Sequence, residues 1–291
     1  MDFAEYMEER KQLVNTYLKK KMAGESISKV DEAMSYSLLA GGKRLRPLLL
    51  MAAADAVGAE GTKLLPVACG LEMIHTYSLI HDDLPVMDND DYRRGRLTNH
   101  KVYGDALALL AGDGLLTKAF QVMLEQKDVA PETIVRVVGL IAACAGPCGM
   151  VGGQVLDLAA EGRKISQEEM KAIHEAKTGA LFKAALCGGG LLGGARPEEQ
   201  AALERFAELF GLAFQITDDI LDVTGNAKEM GKATGSDSKL EKSTYVSLYS
   251  LDKAQEIAAA TLQEAMDVLS IFGDKAEPLR VMTQLLYNRK Q

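Results

Sequence analysis

Apolar residues recur at three- and four-residue spacing along nearly the whole chain, which is the period of one face of an α-helix. The spacing predicts helices at about 2–21, 28–38, 44–57, 61–84, 104–127, 131–159, 167–193, 199–224, 243–270 and 275–288. No run alternates apolar and polar residues with β-branched side chains, as a half-buried strand would. Ser28 and Asp31 suit helix caps, Pro131 and Pro197 open segments, and Gly58, Gly95 and Gly225 close or follow them. Several segments exceed 20 residues and are apolar on most faces, so other helices must surround them. The pattern predicts one all-α domain over residues 1–291, a bundle of about ten helices with 61–84 and 199–224 near its centre.

Composition narrows the class. A chain of 291 residues, 47% hydrophobic and 25% charged, buries enough surface to fold without disulfides or structural metal, and it is not disordered. Lys plus Arg number 33 against 41 for Asp plus Glu, a net charge of −8, and there is no Trp. That balance argues against nucleic acid as a partner. The N-terminus, MDFAEYMEERKQ, carries acids and no apolar core, so no secretory leader is expected. Val137–Gly153 is long and uncharged, but Pro147 and five glycines interrupt it, and a core helix is expected there rather than a membrane span. Cys69, Cys144, Cys148 and Cys187 sit among Ala, Gly and Leu without zinc-site spacing. They are expected to be buried free thiols in a reducing cytoplasm.

Two aspartate clusters carry the candidate chemistry. The first runs Asp82-Asp83-Leu84-Pro85-Val86-Met87-Asp88, followed by Tyr92-Arg93-Arg94-Gly95. The second runs Gln215-Ile216-Thr217-Asp218-Asp219-Ile220-Leu221-Asp222. Each follows an apolar helical stretch, an unusual place for concentrated acid. Asp218 and Asp222 share a helix face one turn apart, where like charges repel unless a cation lies between them. Asp82 and Asp88 would not align on a straight helix, but Pro85 should end or bend it and let Asp88 swing back. Carboxylates without His or Cys neighbours select a hard cation, and Mg²⁺ characteristically bridges one or two of them to substrate phosphates. Gly41-Gly42-Lys43-Arg44-Leu45-Arg46-Pro47 sets three cations beside two glycines at a helix start, a favourable place for an anion. A cationic, polar stretch around Gly231, Lys232 and Gly235 follows the second acid cluster.

GGKRLRP, DDLPVMD with its following RRG, KTG at Lys177–Gly179, QITDDILD, GKATGSD and KSTY occur in this order. Together they resemble the trans-isoprenyl diphosphate synthases, most of all those of the bacterial farnesyl type, from about Ser35 to Tyr245. The resemblance implies an isoprenoid-synthase bundle around a central cavity for the prenyl chain, and a homodimer. It implies that Lys43, Arg46, His75 and Arg94 bind the diphosphate of isopentenyl diphosphate. It implies that Asp82, Asp88 and Asp218 ligate several Mg²⁺ ions, supported by Asp83, Asp219 and Asp222. Arg93, Lys177 and Lys232 would hold the allylic diphosphate, with Thr178 and Gln215 near the developing cation. Gln154 and Asp157 match positions that orient the allylic-site lysine. The implied reaction is ionisation of the allylic diphosphate, condensation with isopentenyl diphosphate, and loss of a proton.

Product length is expected to depend on Tyr77 and Ser78, five and four residues before Asp82. A helix rises 1.5 Å per residue, so they lie about 6 to 7.5 Å below it. In farnesyl-forming relatives a bulky aromatic at the Tyr77 position stops growth at fifteen carbons. The alternative is a geranylgeranyl synthase of the same family. A terpene cyclase needs no second diphosphate site, so GGKRLRP, His75 and Arg94 argue against it. A metal-dependent phosphohydrolase would need further His ligands, and a silent binding subunit would be expected to have lost part of an acid motif.

Overall fold

The computed structural model describes residues 3–24, 28–163, 165–224 and 244–288. They form an all-α architecture with almost no sheet. The helices are α1 (Phe3–Met22), α2 (Val30–Leu38), α3 (Leu45–Ala56), α4 (Leu65–Asp82), α5 (Asn99–Tyr103), α6 (Asp105–Met123), α7 (Pro131–Ala145) and α8 (Met150–Ala160). They continue as α9 (Gln167–His174), α10 (Ala180–Leu192), α11 (Pro197–Thr224), α12 (Tyr245–Tyr249), α13 (Leu251–Val268) and α14 (Glu277–Asn288).

The centre follows from the sequence. Helix α4 opens with a proline in its first turn and is apolar around most of its circumference. It buries Val67, Ala68, Cys69, Leu71, Met73, Ile74, Tyr77 and Ile80, packing most extensively against α6. Helix α3 is enclosed along nearly its whole length by α10 and α4. Phe182 of α10 meets Phe210 of α11 edge to face with ring centroids 5.3 Å apart. Each such aromatic pair adds about 0.5–1.5 kcal/mol beyond the area it buries. A second cluster of Met170, Ile216, Ile220, Tyr245, Ala254 and Ala258 ties α9, α12 and α13 to the end of α11.

The departures from the expected elements have local causes. The predicted helix 131–159 is two helices of 15 and 11 residues, broken at Gly146-Pro147-Cys148-Gly149. Pro147 cannot donate the helical bond, and Gly146 is extended (ψ −161°). Neither piece reaches the roughly 20 residues a membrane crossing needs. Helix α6 has the length and apolar content, but it is packed along α4. The predicted helix 243–270 breaks at Ser250, where φ is +89°. Ser250 Oγ then accepts from Lys253 N to start α13. Residues 61–64 form a 3₁₀ turn ahead of α4, and Glu175–Gly179 is a π-turn joining α9 to α10. Tyr92–Arg93 and Arg96–Leu97 pair as a short antiparallel hairpin, β1 and β2, which no periodicity could reveal in two residues per strand. The cysteine expectation holds for Cys69, Cys144 and Cys187, whereas Cys148, on the α7–α8 turn, is exposed.

Candidate active site

The C-terminal end of α4 builds the first acid group. The last helical bond runs from Asp83 N to Leu79 O. After it, Pro85 supplies no N–H, and the chain closes on itself. Met87 and Asn89 N–H both bond to Leu84 O, and Asn89 turns back with φ +52°. Asp88 N–H then reaches the carbonyl of Asp82 at 2.9 Å. The return of Asp88 to Asp82, expected from Pro85, is thus made by a backbone bond.

Burial pushes the Asp82 carboxyl up to about 6; Lys177 opposes this, Asp88 adds to it, and Arg93 and Asp83 largely offset each other. Asp83 is buried and takes a bidentate clasp from Arg93, with Nε at 2.8 Å from both oxygens and a terminal nitrogen at 2.6 Å. Arg93 therefore anchors the hairpin to α4. Asp83 is 3% exposed, whereas Asp82 is half-buried and Asp88 exposed.

The hairpin delivers a second arginine to the basic loop. Arg94 and Gly95 both have positive φ, as the central residues of a tight type I′ turn require. Arg94 donates to Gly41 O, and its guanidinium lies so close over Gly42 that a Cβ there would stand 2.8 Å from it. Arg46, on the first turn of α3, lies 5.0 Å from the Phe182 ring centroid, and its Nε is buried without a hydrogen-bond partner. Burial, and after it Arg94, lower the Arg46 guanidinium to about 10 against the pull of Glu72 and Asp218. His75, on α4, is held neutral: burial and then Arg46, Arg94, Arg93 and Arg44 push its imidazole well below the ordinary range.

Of the three cations at this helix start, Arg44 faces away from the basic site. It sits in the left-handed region (φ 52°) and turns inward, only 2% exposed. There it donates to Glu72 Oε1 at 2.9 Å, to Leu38 O at 2.7 Å and to Asn15 Oδ1 at 2.9 Å. Arg46 and Arg94 line the basic site beside exposed Lys43, and Arg44 holds the loop in place behind them. Glu72 was missed by sequence reasoning. Its signal was available: a lone acid inside the apolar run of α4 must be paired when buried, and Glu72 is 1% exposed.

The third part is the π-turn. Lys177 Nζ donates to Asp157 Oδ2 of α8 at 2.7 Å. Gly153 makes this possible, because a Cβ there would lie 2.2 Å from Lys177 N. Gln154, one turn before Asp157, keeps both amide atoms buried without partners. Thr178 and Gln215 are half-buried nearby on the π-turn and on α11, which pack together. Asp218 and Asp222 share the face of α11 expected from their spacing. Asp219 faces elsewhere and accepts from Tyr245 N at 2.8 Å, holding the start of α12. Lys232 and its glycine-flanked stretch lie outside the described residues.

The donor set suits Mg²⁺. Asp82 and Asp88 converge, and burial, with Asp88 adding to it, makes the Asp82 charge costly, a cost a hard divalent cation would relieve. Among the described residues no three His, Cys, Asp or Glu side chains form an all-protein cage.

Comparison with known proteins completes the picture. The polyprenyl synthetase family model matches residues 27–276. The chain is 48% identical over 264 residues to a farnesyl diphosphate synthase of Geobacillus stearothermophilus, covering 90% of this chain and 89% of the other. It is 43% identical over 286 residues to a geranylgeranyl diphosphate synthase of Cyanophora paradoxa, covering 98% and 95%. Its fold is similar to that of an FPP/GFPP synthase from Zymomonas mobilis, with a TM-score of 0.89, 35% identity and coverage of 98% and 99%. The motif order, the helical architecture and these matches across nearly the whole length agree: the chain belongs to the polyprenyl synthetase family and is a trans-prenyl diphosphate synthase.

Proposed function

We propose that the protein makes farnesyl diphosphate, adding isopentenyl diphosphate first to dimethylallyl and then to geranyl diphosphate. The observation that carries the product length is Tyr77. It is 6% exposed, five residues below Asp82 on α4, and its ring meets the His81 ring edge to face. Ser78, one residue on, bonds its own turn through His75 O at 2.9 Å and adds little bulk. A chain growing down the bundle from the acid site would meet Tyr77 after about two isoprene units.

The basic pocket of Lys43, Arg46, Arg94 and neutral His75 would anchor isopentenyl diphosphate, with His75 offering a hydrogen bond rather than charge. Lys177, positioned by Asp157, would hold the allylic diphosphate together with Arg93 and Lys232. Mg²⁺ would be held by Asp82, Asp88 and Asp218. Asp83, Asp219 and Asp222 support that set, the first two through the bonds they make to Arg93 and Tyr245. When bound, Mg²⁺ supplies Lewis-acid neutralisation of the departing diphosphate. The allylic C–O bond breaks, the double bond of isopentenyl diphosphate forms the new C–C bond, and a proton leaves. Thr178 and Gln215 place polar oxygens near the transient positive charge, and the apolar interior keeps water from it. No side-chain nucleophile is required, and the released diphosphate is the base.

The geranylgeranyl alternative has its own support in the Cyanophora relative. Mass spectrometry of products from purified protein with Mg²⁺, isopentenyl diphosphate and each allylic diphosphate in turn separates the two. A mainly fifteen-carbon product is expected, and a mainly twenty-carbon product would replace this reading with the alternative. A cytoplasmic homodimer completes the proposal. Leu109 and Leu110 on α6, Val135 on α7 and Val155 on α8 expose apolar side chains on successive helices, which a second copy would cover. Light scattering showing a monomer at micromolar concentration would reject the dimer.

A further inference from the structure

The Tyr77 ring does not set its own position. It belongs to the apolar core, and among the described residues its aromatic contact is with His81, a helical turn nearer the acid site. The two rings meet at 82° with centroids 5.6 Å apart. His81 is fixed from the opposite side by α6. Its Nε2 lies 2.9 Å from the carbonyl oxygen of Leu109, so Nε2–H donates there. Its Nε2–Cδ2 edge lies on Gly112: a Cβ at that position would stand 2.1 Å from Nε2 and 2.3 Å from Cδ2. Asp113 Oδ1 is 3.8 Å from the same nitrogen. The imidazole is thus wedged between a glycine with no room for a methyl group and the tyrosine ring.

We infer that His81, seated on Gly112 and tied to the Leu109 carbonyl, is a positioning residue that sets product chain length by fixing the Tyr77 ring. The inference rests on reading Tyr77 as the end wall of the prenyl pocket. A phenol ring has two soft torsions and settles where its neighbours confine it. Removing the imidazole opens space beside Tyr77 on the α6 side, and the ring can rotate into it and lower the wall. A methyl group at Gly112 should act in the same direction from the other helix, because it displaces the imidazole without altering any residue beside Asp82.

The test measures the ratio of longer to shorter products by mass spectrometry at matched substrate conversion. The proteins compared are wild type, His81→Ala, Gly112→Ala, Tyr77→Ala and the His81→Ala/Tyr77→Ala double variant. Circular dichroism checks that each is folded. Tyr77→Ala is expected to raise the ratio at least ~10-fold, and His81→Ala and Gly112→Ala at least ~3-fold. The double variant should match Tyr77→Ala alone, because His81 acts through that ring. A structural role for His81 would lower turnover and leave the ratio in place. An active His81→Ala or Gly112→Ala enzyme with an unchanged ratio, beside a shifted Tyr77→Ala, overturns the inference and leaves the end wall standing. A double variant whose shift is the product of the two single shifts also overturns it, since His81 would then act independently. An active Tyr77→Ala enzyme with an unchanged ratio removes the end wall and the inference with it.

Discussion

The basic and acidic halves of this site are built on different terms. On the basic side two of the arginines have partners within the fold. Arg44 is closed onto Glu72, Leu38 O and Asn15, and Arg94 rests on Gly41 O. Glu72 also acts on Arg46 from below. On the acidic side, Asp82 and Asp88 are drawn together by a backbone bond, and burial, with Asp88 adding to it, raises the free energy of the charged Asp82. Arg44, Arg94 and Asp83 are thus held by partners within the fold, whereas burial makes the charge of Arg46 and of Asp82 costly, a cost that an anion and a cation respectively would relieve. A pocket that holds an unreactive diphosphate profits from rigidity. A pocket that must stabilise charge only as it departs profits from carboxylates whose partner arrives with the substrate.

This contrast is broken most severely at Glu72. Glu72→Gln should cost about 3–5 kcal/mol of stability, the scale for stranding one partner of a buried pair. The Arg44 guanidinium would remain 2% exposed with its charge uncompensated. Denaturant unfolding measures the loss, and a cost below ~1 kcal/mol would show that the basic half does not depend on this pair. Asp82→Asn and Asp218→Asn should behave in the opposite way. Each should lower turnover at least ~10²-fold, the scale for losing one key electrostatic group. At neutral pH and without metal, however, Asp82→Asn should leave the melting temperature unchanged or raise it, because it removes a carboxylate whose charge is costly. Chelation should abolish wild-type activity and Mg²⁺ should restore it. Full turnover in EDTA would end the metal reading.

A smaller effect separates the two phosphate positions. Arg46→Ala should raise KM for isopentenyl diphosphate ~10-fold or more while changing KM for the allylic substrate little. That is the scale of one hydrogen bond to a charged group. Lys177→Ala should show the reverse bias, and the same bias is expected of Lys232→Ala. Equal effects on both substrates would merge the two sites into one.

The same two halves show where sequence reasoning succeeds. The acids were legible because concentrated carboxylates after apolar helices have few structural explanations, and Pro85 announced the turn that returns Asp88. Lys177 and Asp157 were legible only through the resemblance, since twenty residues and a π-turn separate them. The separate path of Arg44 has a physical cause that the sequence does not display. Three cations in four residues look alike in a sequence, and a left-handed φ at one of them, set by the loop, turns it into the core. The hairpin that carries Arg93 and Arg94 left its trace only in the Arg94-Gly95 pair. The breaks at Gly146–Gly149 and Ser250 interrupt patterns that stay apolar through them, so periodicity reads across them.

The last and smallest expected effect concerns pH, and it tests whether Asp82 is where metal and proton compete. The Asp82 carboxyl is raised in the folded protein from 3.8 to about 6. Between those values the folded state holds a proton that the unfolded chain has released. The metal-free protein should therefore lose stability as pH climbs through this window, and the full cost of the charge is present above pH 6. A cation reverses the sign, because it binds the ionised form. Below pH 6 a single competing proton should weaken Mg²⁺ binding about tenfold per pH unit. The rise in melting temperature on adding Mg²⁺ should then be larger at pH 7.5 than at pH 5, and Asp82→Asn should flatten the difference between the two. Calorimetry at both pH values, with and without Mg²⁺, measures all four quantities. A Mg²⁺-induced rise that is the same at both pH values in the wild type would move the metal away from Asp82.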